Sequence, residues 1–293
     1  MKNKTKQAIQ NYLLLTPALF LSLCLMLVPA VSTIFTSLTD WNGISDSMTW
    51  VGVENYISLF GNSTFKKALG NTVRWMLMYV SIPVLIAMIA SICILRRRRS
   101  RTAFQVMFLL PYVIAPIANA LIWLNMIYSP VTGLFGFLNE TLGWKSVVSP
   151  ITDSATALGG VAAVDIWHYW GYLVVIFAAA LRQTPQDQME AAVMDGCNGV
   201  QLFRYVYFPS ILPTFKLMIV MIVIQSFLQF DYVYLLTKGG PAHATEMLGT
   251  LTYSFAFNTF QFGKAAAVAV IMSLLGLVVS VIYARMIRSE SQR

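Results

Sequence analysis

The stretch Glu190-Ala191-Ala192-Val193-Met194-Asp195-Gly196, followed ten residues later by Val206-Tyr207-Phe208-Pro209, decides the fold. It is polar, and it lies between two long apolar runs near 159–181 and 213–236. A helix dissolved in lipid has no need of an acid, small residues, a glycine and a proline at fixed spacing. Just upstream, Thr184-Pro185-Gln186-Asp187 reads as a helix start, with a capping threonine, a proline at the first helical position and an acid close behind. Met189 to Asp195 then makes about two turns. Gly196 supplies the stop, because a positive φ costs a glycine nothing. Asn198 is placed to cap a second short helix with Leu202, Phe203 and Val206 on one side, and Pro209 and Pro213 are expected to end it. The expectation is a helix-turn-helix lying under a membrane, with apolar faces that need a partner.

The membrane is written in the composition. Of 293 residues, 57% are hydrophobic and only 11% charged, against about 25% charged in soluble domains. A bilayer core of roughly 30 Å needs about 20 apolar residues per helix. Six stretches qualify, near 12–38, 72–95, 103–127, 159–181, 213–236 and 265–287. Backbone groups in lipid must be paired internally, so these are helices; the alternating segments of a β-barrel are not seen. The outer loops are too short to form a domain. The chain therefore reads as all-α and integral to the membrane, one transmembrane domain over 1–293 with six spanning helices and an inner loop over 182–212.

Charge placement gives the orientation. The net charge is +8, which by itself suits a nucleic-acid ligand. Position excludes that. Lys2, Lys4 and Lys6 precede the first helix, Arg96, Arg97, Arg98, Arg99 and Arg101 separate the second from the third, Arg182, Arg204 and Lys216 flank the loop between the fourth and fifth, and Arg285, Arg288 and Arg293 close the chain. With both termini cytoplasmic, 14 of the 20 basic residues fall inside. The arginine run is thus a topology signal that meets lipid headgroups. The first apolar run is too long for a cleavable signal. Cys24, Cys93 and Cys197 imply no disulfide framework and read as packing residues.

The inner loop resembles the EAA loop of binding-protein-dependent ABC importer permeases, whose pattern is Glu-Ala-Ala, three residues, Gly, nine residues, Ile-x-Leu-Pro. Glu190, Ala191, Ala192, Gly196 and Pro209 match it, Val206 and Phe208 replace the Ile and Leu conservatively, and Asp195 fits beside the glycine. Cys197 departs mildly, standing where a small residue such as alanine is usual. The resemblance extends through Asn55-Tyr56, Phe65 to Leu69, Asn71-Thr72, Leu110-Pro111 and Thr237-Lys238-Gly239-Gly240-Pro241 with Thr245, which look like the carbohydrate branch, similar to maltose and glycerol-phosphate permeases.

The resemblance implies a type I importer (MetI-like) permease fold in a bacterial or archaeal cell membrane. It implies a second, homologous permease in a heterodimer, two cytoplasmic ATPase subunits that hold ATP and Mg, and an extracytoplasmic binding protein that delivers the solute. Glu190, Ala191, Ala192, Asp195, Gly196 and Pro209 would then be the ATPase-coupling residues, with alternating access as the mechanism. The chain has no P-loop: its one Gly-Lys pair, Gly263-Lys264, has Asn258 where the first glycine belongs. Hydrolysis is therefore expected elsewhere, with no cofactor or metal on this chain and no enzymatic activity of its own.

Polar residues within the spans mark a pathway by default. Asp165, His168, Tyr169 and Tyr172 stand at i, i+3, i+4 and i+7, on one helical face. Carboxylate and hydroxyls suit sugar hydroxyls, and aromatic faces suit sugar rings. The alternative is an interfacial belt of Trp167, Tyr169 and Trp170, with Asp165 paired to His168 for structure. Gln225, Ser226 and Gln229 share a face that either lines a cavity or bonds a neighbouring helix, and Asp231 follows. Tyr112, beside Pro111, is a further candidate. In the family the companion permease can hold most substrate contacts. A polyol phosphate or other non-sugar solute is the nearest alternative cargo. An ion-coupled transporter would explain Asp165 and His168 but not the inner loop. A membrane enzyme has only His168 and His243 to draw on, neither in a metal or nucleophile motif. The sugar itself is not legible.

Overall fold

The computed structural model describes residue 12 and residues 14–95, 97, 99–142 and 148–290, with backbone alone at 288–290. Lys2, Lys4, Lys6, Arg96, Arg98 and Arg293 lie outside it, as does the side chain of Arg288. The helices are α1 (Leu14–Ser37), α2 (Glu54–Gly61), α3 (Ser63–Leu95), α4 (Arg101–Val113), α5 (Pro116–Ile127), α6 (Leu134–Leu142), α7 (Ala157–Leu181), α8 (Gln186–Met194), α9 (Gly199–Phe227), α10 (Asp231–Leu236), α11 (Leu248–Tyr253) and α12 (Phe262–Glu290). No strand forms among the described residues; Thr39 and Trp50 make a single antiparallel bridge. Among the described residues five helices, α1, α3, α7, α9 and α12, are long and apolar enough to cross a bilayer, and α4 with α5 makes a further pair bent by 92°.

That bend corrects the expected continuous span over 103–127. The break falls at Pro116, while Pro111 lies inside α4 without ending it. The residue before a proline is pushed out of the helical region, and Ala115, before Pro116, sits at φ −57°, ψ 137° with Ile114 also extended. The expected span 213–236 is likewise interrupted, because α9 ends at Phe227 and the chain restarts as α10 at Asp231. At its other end α9 begins earlier than expected. Pro209 and Pro213 do not stop it: Gly199–Leu202, a π-turn over Phe203–Tyr207 and Phe208–Phe227 form one helix. In the π-turn the Phe208 N–H reaches Phe203 O, and Pro209, which has no N–H, follows directly.

The described chain forms two compact units. The first comprises the residues up to Asn62 with Thr252–Ser273. Its turn after α1 is pinned by Asn55, whose Nδ2 donates to Ser37 O at 2.9 Å and Thr39 O at 2.8 Å. Trp41 donates to Ser45 O at 2.8 Å and lies 5.4 Å from the Phe262 ring. The second unit holds Ser63–Leu251 and the chain from Leu274. Here α7 packs on α3, α4 and α9 around Trp75, Val161, Val164, Leu173, Phe177 and Ile222, all 1% exposed or less. Gly171 lets α4 approach α7: a methyl there would collide with the Phe108 carbonyl. Cys24 and Cys93, expected in packing, are instead exposed on their helices.

Two of the residues that carried the family resemblance, Asn71 and Thr245, act as pins. Asn71 on α3 donates its amide to Ala244 O at 2.9 Å and Glu246 O at 3.0 Å. Thr245 bonds Thr237 Oγ1 at 2.7 Å and donates to Gly240 O at 2.7 Å. Glu246, 4% exposed, accepts from Thr250 at 2.7 Å and contacts His243 at 2.9 Å.

Candidate functional site

Two features of the second unit bear on function, a cavity among the spanning helices and the loop over 182–212. The cavity has a volume of about 360 Å³, within the range of small-molecule sites, roughly 300–1,000 Å³. The period of α7 delivers Asp165, His168, Tyr169 and Tyr172 to its wall together. Tyr79 comes from α3 and Tyr112 from α4. From α9 come Met218, Met221, Ile222 and Gln225. The two helix breaks complete the wall, with Pro116 from one and Gln229, Asp231 and Tyr232 from the other. Irregular backbone is tolerated at membrane depth where it lines a cavity, and both breaks do so here.

Those breaks also supply partners. Ile114 O, which a continuing helix would have paired, accepts from His168 Nε2 at 3.2 Å; a carbonyl only accepts, so this nitrogen carries the proton. Asp165 is 8% exposed, and its Oδ2 accepts from Gln229 Nε2 at 2.9 Å. The Tyr79 hydroxyl, buried beside Asp165, completes no hydrogen bond of good geometry. Tyr232 OH accepts from Asn119 Nδ2 at 2.8 Å. Tyr112 and Tyr172 stack with ring centres 4.8 Å apart, and Tyr169 lies 5.8 Å from Tyr79.

Most of the expected pathway residues therefore meet in one place. The alternative pairing of Asp165 with His168 does not form: Asp165 bonds Gln229 at the helix break, and His168 bonds Ile114 O. One expectation changes. Ser226 is not part of the wall: it is 2% exposed and donates to Ile222 O at 2.8 Å, the usual resting place of a serine hydroxyl inside an apolar helix. Sequence reading missed Tyr79, Tyr232, Met218 and Met221. Tyr79 could have been found, since it is a polar group deep in a spanning run; the methionines carried no signal beyond apolarity.

The 182–212 loop is a helix-turn-helix made of α8 and the first turns of α9. Gly196 has φ +79° with open space around it, so backbone conformation alone selects glycine. Asn198 accepts from Val200 N and Gln201 N, and Gln201 reciprocates on the Asn198 N–H. The start of α8 differs from expectation: Pro185 occupies the cap position and Thr184 is buried without a hydrogen-bond partner for its hydroxyl. Pro185, at φ −59° and ψ 135°, stands just outside the helix, and no side chain caps it. Glu190, Ala191, Asp195 and Gly196 are exposed, Ala192 is half-buried, and Glu190 accepts from Gln186 at 2.7 Å. Val193 is 58% and Met194 86% exposed, an apolar tip presented by a polar loop.

Within the second unit, spanning helices thus enclose a polar, aromatic cavity and carry a structured polar loop. The chain belongs to the binding-protein-dependent transport system inner membrane component family, which matches residues 83–291. It is therefore a membrane-embedded transport subunit. It is 32% identical over 273 residues to a probable ABC transporter permease of Pyrococcus horikoshii, covering 92% of this chain and 93% of that one. It is 30% identical to the probable ABC transporter permease YurN of Bacillus subtilis over the full length of both. The trehalose/maltose permease of Thermococcus litoralis is 25% identical, over 96% of this chain and 95% of its own. In fold, it matches a chain of a bacterial alginate ABC transporter, solved with an alginate-pentasaccharide-bound periplasmic protein, with a TM-score of 0.84 at 20% identity over 99% and 97% of the two chains.

Proposed function

We propose that this chain is a permease subunit of an ATP-driven ABC importer that takes up a carbohydrate handed over by an extracytoplasmic binding protein. The cavity carries this reading. Tyrosine faces, two glutamine amides and a buried carboxylate converge on one site in the membrane, the combination that suits a ring with apolar faces and a hydroxyl rim. A relative named for trehalose/maltose transport supports the same cargo. The α4–α5 pair counts as one span, giving six in a type I importer fold, with both termini cytoplasmic by charge. The solute site is Asp165, His168, Tyr169, Tyr172, Tyr112, Gln225 and Gln229. The whole chain works as one transmembrane domain beside a second, homologous permease in a heterodimer. ATP and Mg sit on two separate ATPase subunits, and this chain binds no cofactor or metal. The exposed loop of Glu190, Ala191, Ala192, Asp195 and Gly196, backed by Pro209, is the surface they grip. ATPase closure then rocks the helices about the cavity.

The test is uptake into proteoliposomes holding the permease pair, its ATPase and its binding protein, challenged with labelled oligosaccharides. ATP-dependent saccharide uptake is expected. Uptake driven by a proton gradient without ATP would make the chain an ion-coupled transporter, and uptake of a polyol phosphate alone would replace the cargo.

A further inference from the structure

The charges around the cavity have a sign. Asp165 and Asp231 both line it, and no lysine or arginine among the described residues does. Sites built for sugar acids or sugar phosphates use guanidinium or ammonium groups, or the free N–H groups of a helix start. Neither is on offer. The one basic ring, His168, already spends its Nε2 proton on Ile114 O. Helix α5 starts at the wall, but with Pro116, which has no N–H to give. Helix α10 starts there too, with Asp231 in its own first turn. A carboxylate at a helix start already satisfies the positive end of that helix.

We infer that this cavity admits uncharged saccharides and turns away their uronate and phosphate counterparts. The inference rests on the proposed function and narrows its cargo. A negative charge brought within about 5 Å of an ionised carboxylate is repelled strongly enough, at the effective dielectric of such sites, to weaken binding roughly 100-fold, and among the described residues this wall sets two carboxyl groups and no Lys or Arg against an entering anion. A neutral ring meets no such penalty. It can lie against the Tyr112–Tyr172 stack, with hydroxyls donating to Asp165 and pairing with the amides of Gln225 and Gln229. Asp165 receives the Gln229 amide on its Oδ2 and has the Tyr79 hydroxyl beside it, so its surroundings supply donors rather than a counter-charge. Sugar hydroxyls donate; uronates and phosphates add acceptors.

The experiment is a binding titration of the assembled permease–ATPase complex in lipid nanodiscs, without the binding protein. The probes are maltotriose, cellotriose and raffinose, each compared with the same trisaccharide oxidised at C6 to a uronate. The neutral member of the pair that binds is expected to do so about 100-fold more tightly than its uronate. Asp231→Asn, at an exposed position, and the pair Asp165→Asn with Asp231→Asn should shrink that gap stepwise. The single variant keeps the test open where the double one fails to assemble. A uronate that binds as tightly as its parent, or a gap that neither variant narrows, overturns the inference and leaves the cavity as the sugar site. Neutral binding that Tyr172→Ala leaves untouched overturns the site itself, and the charge rule with it.

Discussion

Asp165 is a carboxylate inside a membrane helix whose hydrogen bond crosses to a residue outside any helix, Gln229. Truncation at Asp165 leaves the Gln229 amide without its acceptor, a loss of about 1–3 kcal/mol. If that bond shapes the solute site, Asp165→Ala should lower transport per assembled complex by roughly ten- to hundredfold, with assembled yield changed less. A fall in yield alone, with normal transport per complex, would make the residue structural. His168→Ala breaks a different bond, because its partner is Ile114 O and not Asp165. Because both line one cavity, the double variant should lose less than the sum of the single losses, and strictly additive losses would remove one of the two from the shared site. Gly196 is a second single-residue case. At φ +79° a β-branched side chain is strained by about 1–2 kcal/mol. Gly196→Val should therefore leave the protein in the membrane but uncouple ATP hydrolysis from uptake, and normal coupled uptake by that variant would remove the turn from the mechanism. The shared face of Asp165, His168, Tyr169 and Tyr172 was legible because helical period is a local property. The partner of Asp165 was not, since it depends on a break 64 residues away.

At the scale of elements, the spanning runs could be read from apolar length, but their interruptions could not. Pro111 and Pro116 stood in view in the sequence, yet prolines occur inside intact spanning helices too, as Pro83 does in α3. What separates the cases is whether something re-pairs the freed backbone. At Ile114 it is a histidine from another helix. At Pro209 a π-turn absorbs the missing donor and the helix continues. Packing between helices follows the same logic of contact rather than pattern. Lipid supplies no hydrophobic drive for helix association, so close approach matters. Gly171→Ala pushes against the backbone carbonyl of Phe108, which cannot swing aside, and overpacking of this kind costs about 1–3 kcal/mol. The detergent-purified complex should melt roughly 3–10 °C lower. Gly159→Ala on the same helix meets open space and serves as the control, with melting unchanged or slightly raised.

For the whole molecule, orientation rests on basic residues gathered at one side. Single cysteines at Ser63 and Ser154 should react with membrane-impermeant maleimides applied from outside, and one at Arg97 should not; external labelling at Arg97 would invert the topology. Helix α3 spans 33 residues, about 50 Å at 1.5 Å per residue, against a hydrocarbon core of roughly 30 Å. The polar residues of its first turns, Lys66 and Lys67 among them, put the excess at that end. That end of α3 carries Asn71, with its amide on Ala244 O and Glu246 O, and Lys67, whose Nζ donates to Ala242 O at 3.3 Å. A loop that looks open in sequence is thus stapled to a helix 173 residues earlier. Anyone splicing a reporter peptide into this protein would find the glycine-rich segment after Thr237 the obvious target and the wrong one. An epitope between Ala242 and Ala244 must tear those staples out, whereas one between Asp46 and Ser47 interrupts little more than the Ser45 hydroxyl bond to Ser47 O.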